Sequence, residues 1–240
     1  MIGLLRALFV AWLYGSLGVM MLLTLPTTLG PQRWTLAFVR AWMKLVLWGL
    51  RHIMGVHVQI RGAEHIPQGP GLIAAKHQSM LDTVAPYALL KHPTYVLKQE
   101  LMKLPVYGRL ARASGMIPVD RAAHARALKQ LVTDSRRALA EGRQIVIFPE
   151  GTRKEPSEPP DYKPGVAALY RDLGVPVTPM ATNSGEHWPA HGHAYTPGVV
   201  VFEFLEPIPA GLKRRVFMEE LERRIEDATA KLANSSPGPR

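Results

Sequence analysis

Cysteine is absent from all 240 residues. That excludes disulfides, thiol catalysis and cysteine-bound zinc or iron–sulfur centres, and leaves the compartment open. Acid is missing from the start of the chain: residues 1–60 hold five Lys or Arg and no Asp or Glu. No charged residue of either sign lies between Arg6 and Arg33. There is no internal repeat, no helix-turn-helix signature and no aromatic–basic sheet motif, so nucleic acid is not an expected partner.

The rest of the composition is that of a folded protein, 47% hydrophobic and 20% charged, too apolar for a disordered chain. The length suits one α/β domain, alone or with an accessory segment. The net charge of +10 is front-loaded, because residues 141–240 hold twelve Lys or Arg against fourteen Asp or Glu. A basic face fits nucleic acid, anionic lipid or a phosphorylated substrate, and the N-terminus selects among them.

Residues 7–25, ALFVAWLYGSLGVMMLLTL, approach the roughly 20 apolar residues that cross a bilayer. The stretch is long for a secretory signal, and LPTTLG offers no small-x-small cleavage site. From 33 to 51 the pattern changes. Arg33, Arg40, Lys44 and Arg51 fall within about 40° of one another on a helix, with Trp34, Phe38, Trp42, Val46 and Leu47 on the remaining face. Such a helix is expected to lie in a membrane interface, since Arg40 and Lys44 would otherwise sit at mid-depth. The competing reading is an amphipathic core helix. We expect 7–25 to pair with this second helix, or to dip in and return, rather than to span alone, although its length permits a span.

Beyond residue 55, short β-rich runs alternate with helical stretches. Strands are expected at 56–60, 72–75, 94–97, 116–119, 144–148, 175–180 and 199–204. Helices are expected near 81–90, 100–113, 123–140, 165–173 and 211–232. This alternation predicts an α/β fold, a largely parallel or mixed sheet flanked by helices, preceded by a two-helix membrane-attachment motif. The expected organisation is attachment helices in 1–55, the α/β body in 56–232 and a disordered tail in 233–240.

Two polar motifs follow apolar strands. KHQSMLD, 76–82, follows LIAA, and FPEGTR, 148–153, follows QIVIF. Ligands of α/β sheets bind at strand C-terminal ends, so both motifs can face one pocket. His77 and Asp82 would point about 140° apart on a regular helix, so cooperation requires a turn between them. Gly151 permits close backbone approach, and Arg153 offers a planar fork for phosphate. His187, His191 and His193 suggest a metal only weakly. They sit in a Pro- and Gly-containing stretch with no carboxylate among them, and no metal site is expected.

Taken together, HQSMLD and FPEGTR about 70 residues later resemble the glycerolipid acyltransferases, most nearly the bacterial 1-acyl-sn-glycerol-3-phosphate (lysophosphatidic acid) acyltransferases. KQELMKLPVYGRLARASGMIPVDR, 98–121, looks like that family's second block, with Lys98, Glu100, Leu101, Pro105, Gly108, Gly115 and Arg121 in place. VPVTPMATNSG, 175–185, looks like its fourth. One departure stands out: Lys76 occupies the position before the histidine, where the family commonly has Asn.

The resemblance implies acyl transfer from acyl-CoA or acyl-carrier protein to the free hydroxyl of lysophosphatidic acid, with no cofactor. His77 would be the general base and Asp82 its tautomer-fixing partner. Gly151, Thr152 and Arg153, helped by Lys98 and Arg121, would hold the acceptor's phosphate, with Glu150 ordering that site. The absence of G-x-S-x-G agrees with direct attack by the acceptor, without an enzyme nucleophile. Lys98 and Arg121 can also be solvated surface cations, and Asn183, Ser184 and Gly185 form a turn that can approach the acyl chain or the substrate. The resemblance also implies the cytoplasmic face of a bacterial inner membrane, with membrane lipids as partners. Alternatives are an acyltransferase for another lyso-lipid, such as a lyso-ornithine lipid, or a non-catalytic lipid-binding protein.

Overall fold

A computed structural model describes residues 2–120 and 124–235. The strands are β1 (Val56–Arg61), β2 (Gly71–Ala75), β3 (Pro93–Lys98), β4 (Ile117–Val119), β5 (Gln144–Ile147), β6 (Val177–Thr182) and β7 (Gly198–Phe204). The helices are α1 (Ile2–Thr24), α2 (Gln32–Met54), α3 (Leu81–Leu89), α4 (Pro105–Ala113), α5 (His124–Ala140), α6 (Pro164–Leu173), α7 (Ser184–His187) and α8 (Arg214–Ser235).

The seven strands form one sheet in the order β1-β7-β6-β2-β5-β3-β4. All neighbouring pairs are parallel except β6–β7, so β1 and β7 run against the other five. The sheet is therefore mixed and largely parallel, as the alternation implied. Every residue of β2, β5 and β6 is buried, which is why these strands read as apolar runs: helices cover both faces.

Period-2 alternation divides β2 between two cores. Ile73 and Ala75 join the cluster formed with α1, α2 and α3, through Phe9, Leu13, Val46, Leu50, Val84 and Tyr87. Leu72 and Ala74 join the opposite cluster, with Leu131 of α5, Leu169 of α6 and Phe217, Leu221 and Ile225 of α8.

The two N-terminal helices form an antiparallel pair joined by a 3-10 turn at Pro26–Leu29. Trp12 meets Trp48, and the Ser16 hydroxyl accepts the Trp42 indole N–H. The pairing is close because α2 carries Gly49, where an added Cβ would fall 2.2 Å from Trp12 Nε1. The Ile2–Leu29 segment is long and apolar enough to cross a membrane, with only 17% of its most apolar window buried.

The face of α2 assigned from sequence divides in two. Trp42 and Val46 belong to the core and Leu47 packs partly buried against it, whereas Trp34 and Phe38 are exposed, as are Leu45 and Trp48 nearby. Thus α2 presents a core face, an exposed aromatic flank and a cationic stripe. The stripe is shorter than expected: Arg40 donates to the carbonyls of Leu90 and Lys91, at 2.8 and 2.6 Å, just past the end of α3. Arg33, Lys44 and Arg51 remain exposed.

Two further departures have local causes. The helix expected at 100–113 is broken into a 3-10 turn, Gln99–Lys103, and α4, because Pro105 holds Leu104 extended at φ −66°, ψ 127°. Helix α8 continues through Ser235, past the expected end of the body at 232; the rest of the expected tail lies outside the described residues.

Candidate active site

Strand β2 ends at Ala75 and α3 begins at Leu81, and the five residues between them make the turn that the pairing of His77 with Asp82 demands. Asp82 lies in the first turn of α3 and is fully buried. Its Oδ2 accepts the backbone N–H groups of Gln78 at 2.6 Å and Ser79 at 2.8 Å. The same oxygen lies 3.1 Å from His77 Nδ1. Its Oδ1 accepts the hydroxyl of Ser184, from the start of α7. A carboxylate held by this many donors has little freedom, so it fixes both the turn and the imidazole. His77 keeps 14% of its side chain exposed. Its ring stacks on Phe148, with centroids 3.8 Å apart and planes 17° from parallel.

Phe148 is the residue that follows β5 and opens FPEGTR. The motif turns sharply: Gly151 donates to the Phe148 carbonyl at 2.9 Å and takes φ 68°, the left-handed region that glycine enters at low cost. The loop then passes beside the histidine, where Lys154 N–H donates to the His77 carbonyl at 2.9 Å. Glu150 is buried beneath. Its Oε2 accepts the His77 N–H at 3.3 Å, and its Oε1 accepts Lys76 Nζ at 2.8 Å. Burial pushes the Glu150 carboxyl up, and the hydrogen bond from Lys76 pulls it back.

The structure brings His77 into direct contact with both Asp82 and Glu150. Arg153, half-buried, and Thr152, exposed, follow on the same loop. Lys98 ends β3, which runs parallel to β5 and β2 through the pairs β3–β5 and β2–β5. It therefore emerges on the same edge of the sheet, exposed to solvent. Arg121 lies outside the described residues.

The turn Asn183–Gly185 packs against the His77–Asp82 segment. All three residues are buried, Ser184 binds Asp82, and Gly185 N–H donates to Gln78 Oε1 at 3.1 Å. The turn braces the His77–Asp82 segment from below. Ser184 and Phe148 both lie in motifs singled out from the sequence, but the motifs do not say that one binds Asp82 and the other stacks on His77; only the packing does. His187 and His193 are engaged locally, Nδ1 of the first facing the Thr196 carbonyl and Nδ1 of the second the Tyr195 hydroxyl, both at 3.2 Å.

This arrangement can take a proton from a bound hydroxyl while cations beside it hold an anion. The chain also matches known proteins. The acyltransferase family model matches residues 57–183, from β1 to the turn that braces Asp82. The chain belongs to the acyltransferase family. A Pseudomonas aeruginosa 1-acyl-sn-glycerol-3-phosphate acyltransferase is 35% identical over 162 residues, 68% of this chain and 63% of that protein. A Helicobacter pylori protein of the same name is 31% identical, over 53% of this chain and 54% of its own. The aligned region thus spans less than two thirds of the curated relatives it matches. The crystal structure of the 1-acyl-sn-glycerophosphate (LPA) acyltransferase PlsC from Thermotoga maritima superposes with a TM-score of 0.79. That likeness covers 97% of this chain and 98% of that one, at 20% identity, and it establishes the fold of this acyltransferase.

Proposed function

We propose that this acyltransferase moves an acyl chain from acyl-CoA or acyl-carrier protein to the sn-2 hydroxyl of lysophosphatidic acid, giving phosphatidic acid for phospholipid synthesis. The observation that carries the reading is the His77–Asp82 pair, with Nδ1 engaged by a carboxylate and Nε2 the ring's other nitrogen. An alcohol is a poor nucleophile until a base takes its proton during attack. In the proposed mechanism Nε2 of His77 accepts that proton as the acceptor oxygen adds to the thioester carbonyl. Asp82 holds the Nδ1–H tautomer and stabilises the imidazolium. The C–S bond then breaks, and the imidazolium returns the proton to the departing thiolate. Arg153 and Gly151, with Thr152, Lys98 and Arg121, are proposed to hold the acceptor's phosphate, Arg153 through its two-pronged fork.

Both the acceptor and the product are lipids. The exposed aromatic flank of α2 and the apolar α1 support attachment to a bilayer. A cytosolic donor would put the catalytic body on the cytoplasmic face of a bacterial inner membrane. The test is an acyl-transfer assay in detergent, with acyl-CoA and acyl-carrier protein each offered against lysophosphatidic acid and zwitterionic lyso-lipids. Transfer to lysophosphatidic acid is the expected result. Transfer to a zwitterionic lyso-lipid and none to lysophosphatidic acid would overturn the acceptor assignment.

A further inference from the structure

The alternation of β2 carries on for two residues past its end. Lys76 N–H still pairs with the Met180 carbonyl of β6, at 2.9 Å. Counting on from Leu72 and Ala74, position 76 belongs to the side covered by α8, and position 77 to the side of α3. The side chains follow: His77 reaches Asp82 of α3, and Lys76 reaches Glu226 of α8.

Lys76 is 3% exposed, and the partners of its ammonium among the described residues are two carboxylates. It donates to Glu150 Oε1 at 2.8 Å and lies 2.9 Å from both oxygens of Glu226. Glu226 also accepts the Tyr162 hydroxyl at 2.9 Å. The lysine before the histidine is thus tied to α8 and to the FPEGTR loop.

We infer that Lys76 and Glu226 are positioning residues, through which the C-terminal helix α8 sets the orientation of the histidine. Glu226 holds Lys76, Lys76 holds Glu150, and Glu150 holds the backbone N–H of His77. This rests on the proposed role of His77 as base. A buried ion pair adds little net stability, because desolvation offsets the attraction; apolar side chains of similar volume often serve as well or better. Stability alone therefore gives no reason for a lysine between two glutamates beneath a catalytic turn. Geometry does, since a charged pair fixes direction where apolar packing does not. Burial works against the Lys76 ammonium, yet the hydrogen bonds and charges of Glu150 and Glu226 outweigh it and hold the group protonated. Without that cation Glu150 would favour its neutral form, a weaker acceptor for the His77 N–H.

The experiment uses the full chain in detergent, with Glu226→Gln, Lys76→Met and the double variant. Thermal midpoint, kcat and both KM values are measured for each, beside His77→Ala. Glu226 keeps 27% of its side chain exposed, so the Gln variant should fold. Its kcat should fall about 10- to 100-fold, as when the support of a reacting group is loosened, with both KM values within about twofold. Lys76→Met leaves two carboxylates without their cation and should lower both the midpoint and kcat. Adding Glu226→Gln to it should recover only part of the midpoint and none of the kcat, because Glu150, the more deeply buried carboxylate, still lacks its partner. Glu226→Asp, which keeps the charge on a shorter arm, covers failure of the Gln variant to fold, and it too should lose kcat at constant KM. Wild-type kcat in Glu226→Gln or in the double variant overturns the inference, as does a KM change at constant kcat. If His77→Ala still transfers acyl groups, the general-base reading itself fails; if it is inactive while these variants turn over normally, only the positioning role is lost.

Discussion

The Ser184 hydroxyl donates to Oδ1 of Asp82 across 102 residues of sequence. The other oxygen of that carboxylate is shared by two backbone N–H groups and His77. Ser79 Oγ, at 3.5 Å, is too far to replace Ser184. Ser184→Ala should therefore cost about 1–3 kcal/mol of stability, the range for leaving a buried charged acceptor short of a donor. It should lower kcat while leaving both KM values unchanged. Chemical denaturation and steady-state kinetics check this; unchanged stability would remove Ser184 from the network.

His77→Ala should remove about 10²- to 10⁴-fold of acyl transfer, the usual worth of a general base, while lysolipid binding persists. Asp82→Asn should be less severe in turnover, because the base survives with its tautomer unfixed. It also trades a buried acceptor of several hydrogen bonds for an amide, so its folding is checked by circular dichroism first. Near-normal turnover in folded His77→Ala would end the general-base mechanism.

Arg153→Lys keeps the charge and loses the fork. The acceptor KM should rise and the donor KM should hardly move, as read by varying each substrate at saturating levels of the other. Lys98→Ala should move the acceptor KM in the same direction, because Lys98 emerges on the same sheet edge. A rise confined to the donor KM would reassign these cations to the coenzyme or carrier protein.

Attachment to anionic vesicles should depend on Arg33, Lys44 and Arg51 but not on Arg40, whose guanidinium caps α3. At about 1 kcal/mol per cation near an anionic surface, reversing the three to Glu should weaken binding by at least about 3 kcal/mol in co-sedimentation at low salt. Activity on a short, water-soluble lysolipid should survive. Equal vesicle binding by the reversed and native proteins, at both low and high salt, would show that the stripe does not attach the chain. Arg40→Ala should instead destabilise the fold, with vesicle binding retained.

Much of the fold was legible because its signals are local. The apolar runs of β2 and β5, the polar motifs after them, and the helical period of α2 each lie within a few residues of sequence. Steric and hydrogen-bonding rules act over that range, so strand positions and the α/β class could be read directly, whereas the His77–Asp82 pairing was implied by the resemblance of the two motifs to the acyltransferases. The split at Pro105 was also written in the chain, since proline disfavours helix at the residue before it.

What the tertiary structure alone decided is which residue meets which across long separations. Ser184 beneath Asp82, Glu226 against Lys76 and Arg40 at the end of α3 join segments 102, 150 and about 50 residues apart. Nothing in the local sequence around any of them names its partner. Their roles come from burial, which charges a high cost for any unpaired polar group and so obliges each one to find whichever partner the packing of sheet and helices has brought within reach.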